Sequence, residues 1–167
     1  TKFLVLFLIA AVSASFLALS YSYRSNNSKS AGDTLAGDTL IVEGEKHFKN
    51  MRMLTNGGEN AEAYFSFDGS KIIFQSTRDQ YECDQIFTMN TDGSDLKLVS
   101  TGKGRTTCSY FYPDGKSILF ASTHQASDVC PQKPDFSKGY TWALYADYEI
   151  YKANVDGSNP VKLTDIK

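Results

Sequence analysis

The sequence predicts an all-β fold made of repeated four-stranded sheets, and two recurring phrases carry that prediction. The first phrase, YFSFDGSKIIFQST at Tyr64, returns as YFYPDGKSILFAST at Tyr110. The second, QIFTMNTDGS at Gln85, returns as EIYKANVDGS at Glu149. Aromatic residues make up 13% of the chain, which suits pleated strands. Short strands and tight turns that recur every roughly 40–50 residues are typical of β-propeller blades.

Each repeat divides into four strands, a to d, in chain order. The expected strands are Ala63–Phe67, Lys71–Ser76, Gln85–Asn90 and Leu96–Ser100, then Cys108–Tyr112, Ser117–Ser122, Glu149–Asn154 and Val161–Thr164. An Asp-Gly pair joins a to b and c to d in both repeats, and both residue types adopt the positive φ that hairpin turns need. The four pairs begin at Asp68, Asp92, Asp114 and Asp156.

A d-type strand without its own a, b and c precedes the repeats. The residues MRMLT at Met51–Thr55 match LKLVS at Leu96–Ser100. Two blades cannot close a ring, so we expect an incomplete propeller that belongs to a longer protein. Met51–Thr55 is then either a clasp that completes the last blade or an extra edge strand.

The N-terminal residues are predicted to lie outside the fold. Lys2 precedes a continuous apolar run, which indicates an export signal at 1–20 or, if uncleaved, a membrane anchor. Residues 21–45 are small and polar, which indicates a flexible linker, and 46–167 form the propeller part. We therefore expect a periplasmic or extracellular protein, which contacts the membrane only through its N-terminal segment if that segment is uncleaved.

No catalytic, metal or cofactor site is predicted from the residues. There is no Gly-x-Ser-x-Gly elbow, and neither His47 nor His124 has triad partners at a recognisable spacing. Gly115-Lys116-Ser117 lacks the first glycine of a phosphate loop, and the cysteines form no Cys-x-x-Cys pair. The net charge of −2 gives no field for nucleic acid.

The three cysteines are expected at one face of the blades, where the b–c and d–a loops emerge. Cys83 and Cys130 lie in the two b–c loops, and Cys108 opens strand a of the second repeat. A Cys83–Cys130 disulfide is the preferred pair, because loops can adjust their geometry. The alternative is three free or buried thiols.

The second b–c loop is the long one, and it holds the only tryptophan, Trp142. Long loops in compact repeats often bind partners, although this one could equally be a lid over a neighbouring blade. Arg105, Asp79 and Asp84 are expected at the same face. Together with Trp142 they form the predicted partner-binding face, unless the carboxylates only satisfy turn amides.

The two phrases resemble the WD40-like, or PD40, repeats of the TolB family of exported β-propellers. The resemblance covers about Met51 to Asp165, and it departs at Phe67, where the second repeat has the usual proline, Pro113. It implies a six-bladed periplasmic propeller that binds other envelope proteins or peptides. The chain has a linker where the TolB protein has a separate α/β domain. The repeats also resemble the propeller that precedes a serine peptidase domain in prolyl-oligopeptidase-like enzymes.

Three functions follow as expectations. The first is an exported, non-catalytic binding scaffold in the cell envelope. The second is the substrate gate of a serine peptidase whose catalytic domain lies beyond Lys167. The third is a sensor of glycans or small ligands that uses the loop around Trp142.

Overall fold

The structure is a computed structural model that describes Leu40 and residues 42–165. The predicted signal or anchor at 1–20 and most of the predicted linker lie outside the described residues. Among the residues that are described, no helix is long and apolar enough to cross a membrane.

Two antiparallel four-stranded sheets make up the described residues, which confirms the all-β prediction. The first sheet has the order β1-β2-β3-β4 and the second β5-β6-β7-β8, so each strand pairs with its neighbour in sequence. This meander is the arrangement of a propeller blade, and the two sheets are two consecutive blades of an incomplete propeller. The strands are Glu59–Phe65 (β1), Lys71–Thr77 (β2), Gln85–Asn90 (β3), Lys97–Leu98 (β4), Thr106–Phe111 (β5), Ser117–Ser122 (β6), Glu149–Asn154 (β7) and Val161–Lys162 (β8).

The two a strands, β1 and β5, begin earlier than the sequence predicts because each contains a bulge. The register with the next strand shifts between Ala61 and Tyr64 in β1 and between Thr107 and Tyr110 in β5. The bulges contain Glu62 at φ 50° and Cys108 at φ 53°. A bulge breaks the alternation on which a strand is recognised, so the extensions before it were missed. The d strands are shorter than expected, at two residues each.

The main core lies between the two blades. Ile73 and Ile86 of the first blade pack with Ile118 and Tyr151 of the second, and all four are 0% exposed. A smaller cluster of Ile72, Phe74, Phe87 and Met89 lies on the other face of the first blade.

The same face of the sheet is exposed in the first blade and covered by the first blade in the second. Phe65 and Phe111 end β1 and β5 and occupy the same place in the repeat. Phe111 is 7% exposed because it packs against the first blade, whereas Phe65 is 67% exposed. A blade packs on a neighbour at each face, so Phe65 marks the side on which a ring would continue.

The strand predicted at Met51–Thr55 is not formed: these residues have an irregular backbone and pair with no strand among the described residues. Its position nevertheless repeats that of strand d. Leu54 packs on the outer face of the first blade, with its carbonyl against Gly93. Val99, which follows β4, presents its carbonyl to Gly157 of the second blade in the same way. This placement is the one that a clasp would occupy.

Candidate binding groove

A groove of about 400 Å³ lies between the bulged a strands and the long b–c loop of the second blade. The loop runs from residue 123 to residue 148, between β6 and β7. The volume of the groove falls in the range of small-molecule binding sites, about 300–1,000 Å³. Five aromatic residues contribute to the lining: Phe136, Tyr140, Trp142, Tyr145 and Tyr148.

One wall of the groove is a run of exposed aromatic rings, which we call the aromatic arm and define as Phe136, Tyr140 and Trp142. Their exposed fractions are 50%, 81% and 78%. The Phe136 and Tyr140 rings stack with centroids 6.2 Å apart, and Tyr140 meets Trp142 edge to face at 6.4 Å. Exposed apolar surface grouped in this way marks an interaction site more often than isolated exposed residues do.

The loop that carries the aromatic arm is tied to the first blade near its start. Cys83 and Cys130, the pair that the loop placement favours, form a disulfide with their Cα atoms 5.9 Å apart. The N–H of Gly104 donates to the carbonyl of Asp128 at 2.9 Å, and Lys103 pairs with the Asp128 carboxylate at 2.8 Å. These links fix the start of the loop on the first blade.

Arg105 reaches the groove with its charge already paired. Its Nε and Nη2 donate to the same Oδ2 of Asp84, at 2.9 and 2.7 Å. Burial alone would lower the pKa of Arg105, but the hydrogen bond and the charge of Asp84 raise it above its usual value. Asp84 also accepts from Thr77 Oγ1 at 3.1 Å and is only 8% exposed. Asp84 therefore positions Arg105 and offers no open carboxylate to a partner.

The other predicted residues are separated by the fold. Trp142 lines the groove together with Arg105, but Asp79 does not, since it occupies an exposed turn at φ 54°. Cys108 is an exposed free thiol in the bulge of β5. It lies on the groove wall, away from the bonded cysteine pair.

The sequence did not point to the wall opposite the aromatic arm. Glu62 and Cys108 stand at the two bulges, and Gln75 Oε1 accepts from the Cys108 N–H at 3.1 Å. Although the residue is largely exposed, partial burial of its sulfur, together with the Glu62 carboxylate, raises the pKa of the Cys108 thiol above its usual value, so the thiol stays protonated at neutral pH. Only the strand-to-strand register reveals that Glu62 faces this groove.

Tyr148 forms part of the groove where the loop rejoins β7. Burial is the main cause that raises the pKa of its hydroxyl above the usual value, while the charge of Arg105 opposes the shift. Its neighbour Tyr145 has its ring centroid 6.2 Å away and donates from its hydroxyl to the Gln132 carbonyl at 2.8 Å. Both tyrosines thus give aromatic surface to this end of the groove.

The described residues contain no group of His, Cys, Asp and Glu side chains that could hold a metal ion. His124 serves the core, because its ring lies 4.3 Å from that of Tyr151 and its Nδ1 is 2.9 Å from Ser122 Oγ.

No protein-family model matches the sequence, and no curated protein matches it. Among solved structures, the chain is similar to one described as TolB from Agrobacterium tumefaciens, at 24% identity and a TM-score of 0.49. That match covers 66% of this chain and 35% of the other. The tricorn protease is similar at 12% identity and a TM-score of 0.44, over 64% of this chain and 11% of that one. This chain thus spans about a third of the first structure and about a tenth of the second. Strand order and register, independently of these values, identify the described residues as two blades of a β-propeller.

Proposed function

We propose that this chain belongs to an exported, non-catalytic β-propeller scaffold that binds a protein of the cell envelope, and that the partner enters the groove under the aromatic arm. The observation that carries the proposal is the aromatic arm, whose three large rings are at least half exposed and belong to a loop that is bonded to the first blade near its start. Tyrosine and tryptophan are enriched at the energetic centres of protein interfaces. A loop that is cross-linked at its start also loses less conformational entropy on binding than a free loop would.

The disulfide supports the exported part of the proposal. Cys83–Cys130 links the two blades across 47 residues. Such bonds persist in oxidising compartments and are rare in the cytosol. The apolar run after Lys2 and the resemblance of the repeats to exported propellers agree with that location.

Site-specific cross-linking in the native full-length protein tests the binding surface. A photoreactive residue at Trp142 samples the groove, and one at Phe67 is a matched control, since Phe67 is 70% exposed in the a–b turn at the opposite end of the blade. We expect a discrete protein adduct from position 142 only. Adducts of the same protein from position 67 alone would contradict the assignment of the surface.

The cross-linked partner is then purified and its affinity is measured by calorimetry. Trp142→Ala should weaken binding by about 10-fold or more, because truncating a central aromatic side chain costs about 2 kcal/mol. Leu144→Ala is the control, because Leu144 is 96% exposed on the same loop but does not line the groove. Equal affinities for the two variants would count against the groove.

The non-catalytic part has a separate test. A fluorophosphonate probe that labels active serine hydrolases should leave the purified full-length protein unlabelled. Specific labelling that is blocked by denaturation would favour the expectation of a peptidase gate instead.

A further inference from the structure

We infer that the groove under the aromatic arm receives a cationic side chain, a lysine or arginine of the bound partner, with Glu62 as its counter-charge. The inference rests on the proposed function, since it names the chemistry of the segment that the groove would hold. It follows from the charges and ring faces that line the groove and from the way the same fold holds cations elsewhere.

The charges of the groove leave one carboxylate uncompensated. Arg105 and Asp84 cancel each other through an ion pair of 2.7 Å. Glu62 lines the same groove, and among the described residues it forms no ion pair; its contact is with the neutral thiol of Cys108. The lining therefore presents one carboxylate that forms no ion pair, and an incoming cation would complement it.

The ring faces have the same preference. The π face of an aromatic ring is its negative side, so an ammonium or guanidinium group over it is attracted. Five aromatic residues border the groove, and the rings of the aromatic arm stand exposed at it. A cation that enters would find exposed aromatic rings on one wall and a carboxylate on the other.

The same fold uses this contact elsewhere, within single blades. The guanidinium of Arg78 lies 5.8 Å from the ring centroid of Phe74 and 5.6 Å from that of Phe87. The ammonium of Lys152 lies 4.4 Å from the ring of Tyr112. None of these contacts, among the described residues, involves a ring that lines the groove.

Other classes of ligand fit less well. An anionic group would meet Glu62 and the ring faces, and the charge of Arg105 is already compensated by Asp84. A purely apolar group would take water from the Glu62 carboxylate without replacing its hydrogen bonds, which is unfavourable. A lysine or arginine satisfies both walls, because its aliphatic stem also packs on apolar surface.

The test uses the full-length protein labelled with 5-fluorotryptophan, in which the Trp142 signal is assigned from Trp142→Phe. Four blocked pentapeptides, Gly-Gly-X-Gly-Gly with X as Lys, Arg, Gln or Glu, are titrated while the fluorine shift of Trp142 is followed. We expect the Lys and Arg peptides to bind about tenfold more tightly than the Gln peptide, and the Glu peptide to bind most weakly. Raising the salt concentration should reduce this preference.

Glu62→Gln should reduce the preference for Lys over Gln by about threefold to fivefold, since one partly solvated ion pair contributes up to about 1 kcal/mol. Glu59→Gln is the matched control, because Glu59 is exposed on the same strand and does not line the groove. Equal binding of the Lys and Gln peptides, an unchanged preference in Glu62→Gln, or no binding of any peptide would overturn the inference. The proposed function would still stand in those cases if the cross-linked partner lost affinity with Trp142→Ala, so the two failures are distinguishable.

Discussion

Replacing Gly157 with alanine should disrupt the packing of the second blade on the first. Gly157 follows Asp156 in the c–d turn at φ +85°, and a Cβ there would lie 2.8 Å from the carbonyl carbon of Val99 and closer still to its oxygen. Val99 belongs to the core between the blades, so its backbone cannot move without disturbing that core. The substitution therefore combines an unfavourable φ with a backbone collision.

The magnitude follows from comparison with Gly69, which has φ +70° but nothing within 4 Å of an added Cβ. Gly69→Ala should cost only the left-handed conformation, about 1–2 kcal/mol. Gly157→Ala adds overpacking worth about 1–3 kcal/mol, for a total of about 2–5 kcal/mol. Gly93→Ala should fall between them, because its Cβ would meet the Leu54 carbonyl oxygen at 3.2 Å.

The assay is urea unfolding of the full-length protein, followed by circular dichroism, with the free energy of unfolding compared among the three variants. The order Gly69→Ala, Gly93→Ala, Gly157→Ala from least to most destabilised is the expected result. If the Gly157→Ala variant were at least as stable as the Gly69→Ala variant, the described packing of the two blades would be refuted. Gly93→Ala equal to Gly69→Ala would refute the placement of Leu54 against the first blade.

Three further outcomes are expected. Cys130→Ser should lower the free energy of unfolding by about 4 kcal/mol, because the disulfide closes a 47-residue link and so reduces the entropy of the unfolded chain. Proteolysis of the long b–c loop should also become faster. Unchanged stability and unchanged proteolysis would show that the disulfide does not hold the loop. Asp84→Asn should lower the free energy of unfolding by about 1–3 kcal/mol, because it removes the charged partner of half-buried Arg105. Asp128→Asn breaks an exposed ion pair and should lower it by less than about 1 kcal/mol. Thermal unfolding ranks the two variants, and the reverse order would be inconsistent with a structural role of Asp84. Burial lowers the pKa of His124, so the unfolded chain takes up the proton at a higher pH than the folded chain does. The stability due to this residue is fully present above the unfolded pKa near 6.5 and is lost as the pH falls through the lower folded pKa. His124→Gln should flatten that part of the plot of stability against pH, and parallel plots for the variant and the native protein would contradict the assignment.

The blade architecture could be recognised because it is encoded locally and twice. An Asp-Gly turn needs only a few adjacent residues, and each carboxylate accepts from nearby groups; in the first turn, hydrogen bonds from Ser66 and Ser70 hold the pKa of Asp68 at about 2. Strands β3, β6 and β7 begin and end at the residues that the pattern predicts. Repetition strengthened each of these assignments, since one repeat checks the other.

The groove could be foreseen only in part. The long loop and Trp142 were visible as an interruption of the repeat, and the disulfide joins the cysteines that the loop placement pairs. Asp84, in contrast, was predicted on a binding face, but its ion pair with Arg105 gives it a structural role. Nothing in the spacing of these two residues indicates that they meet.

The sequence by itself determined the order of the eight blade strands, their turns and their repetition, because hydrophobic alternation and turn chemistry act over a few neighbouring residues. The tertiary structure decided the bulges that turn Glu62 and Cys108 to the groove, and the burial of Phe111 while Phe65 stays exposed. These features depend on the register between strands and on which face the next blade covers. Both are set by contacts between residues distant in sequence, which a local pattern does not record.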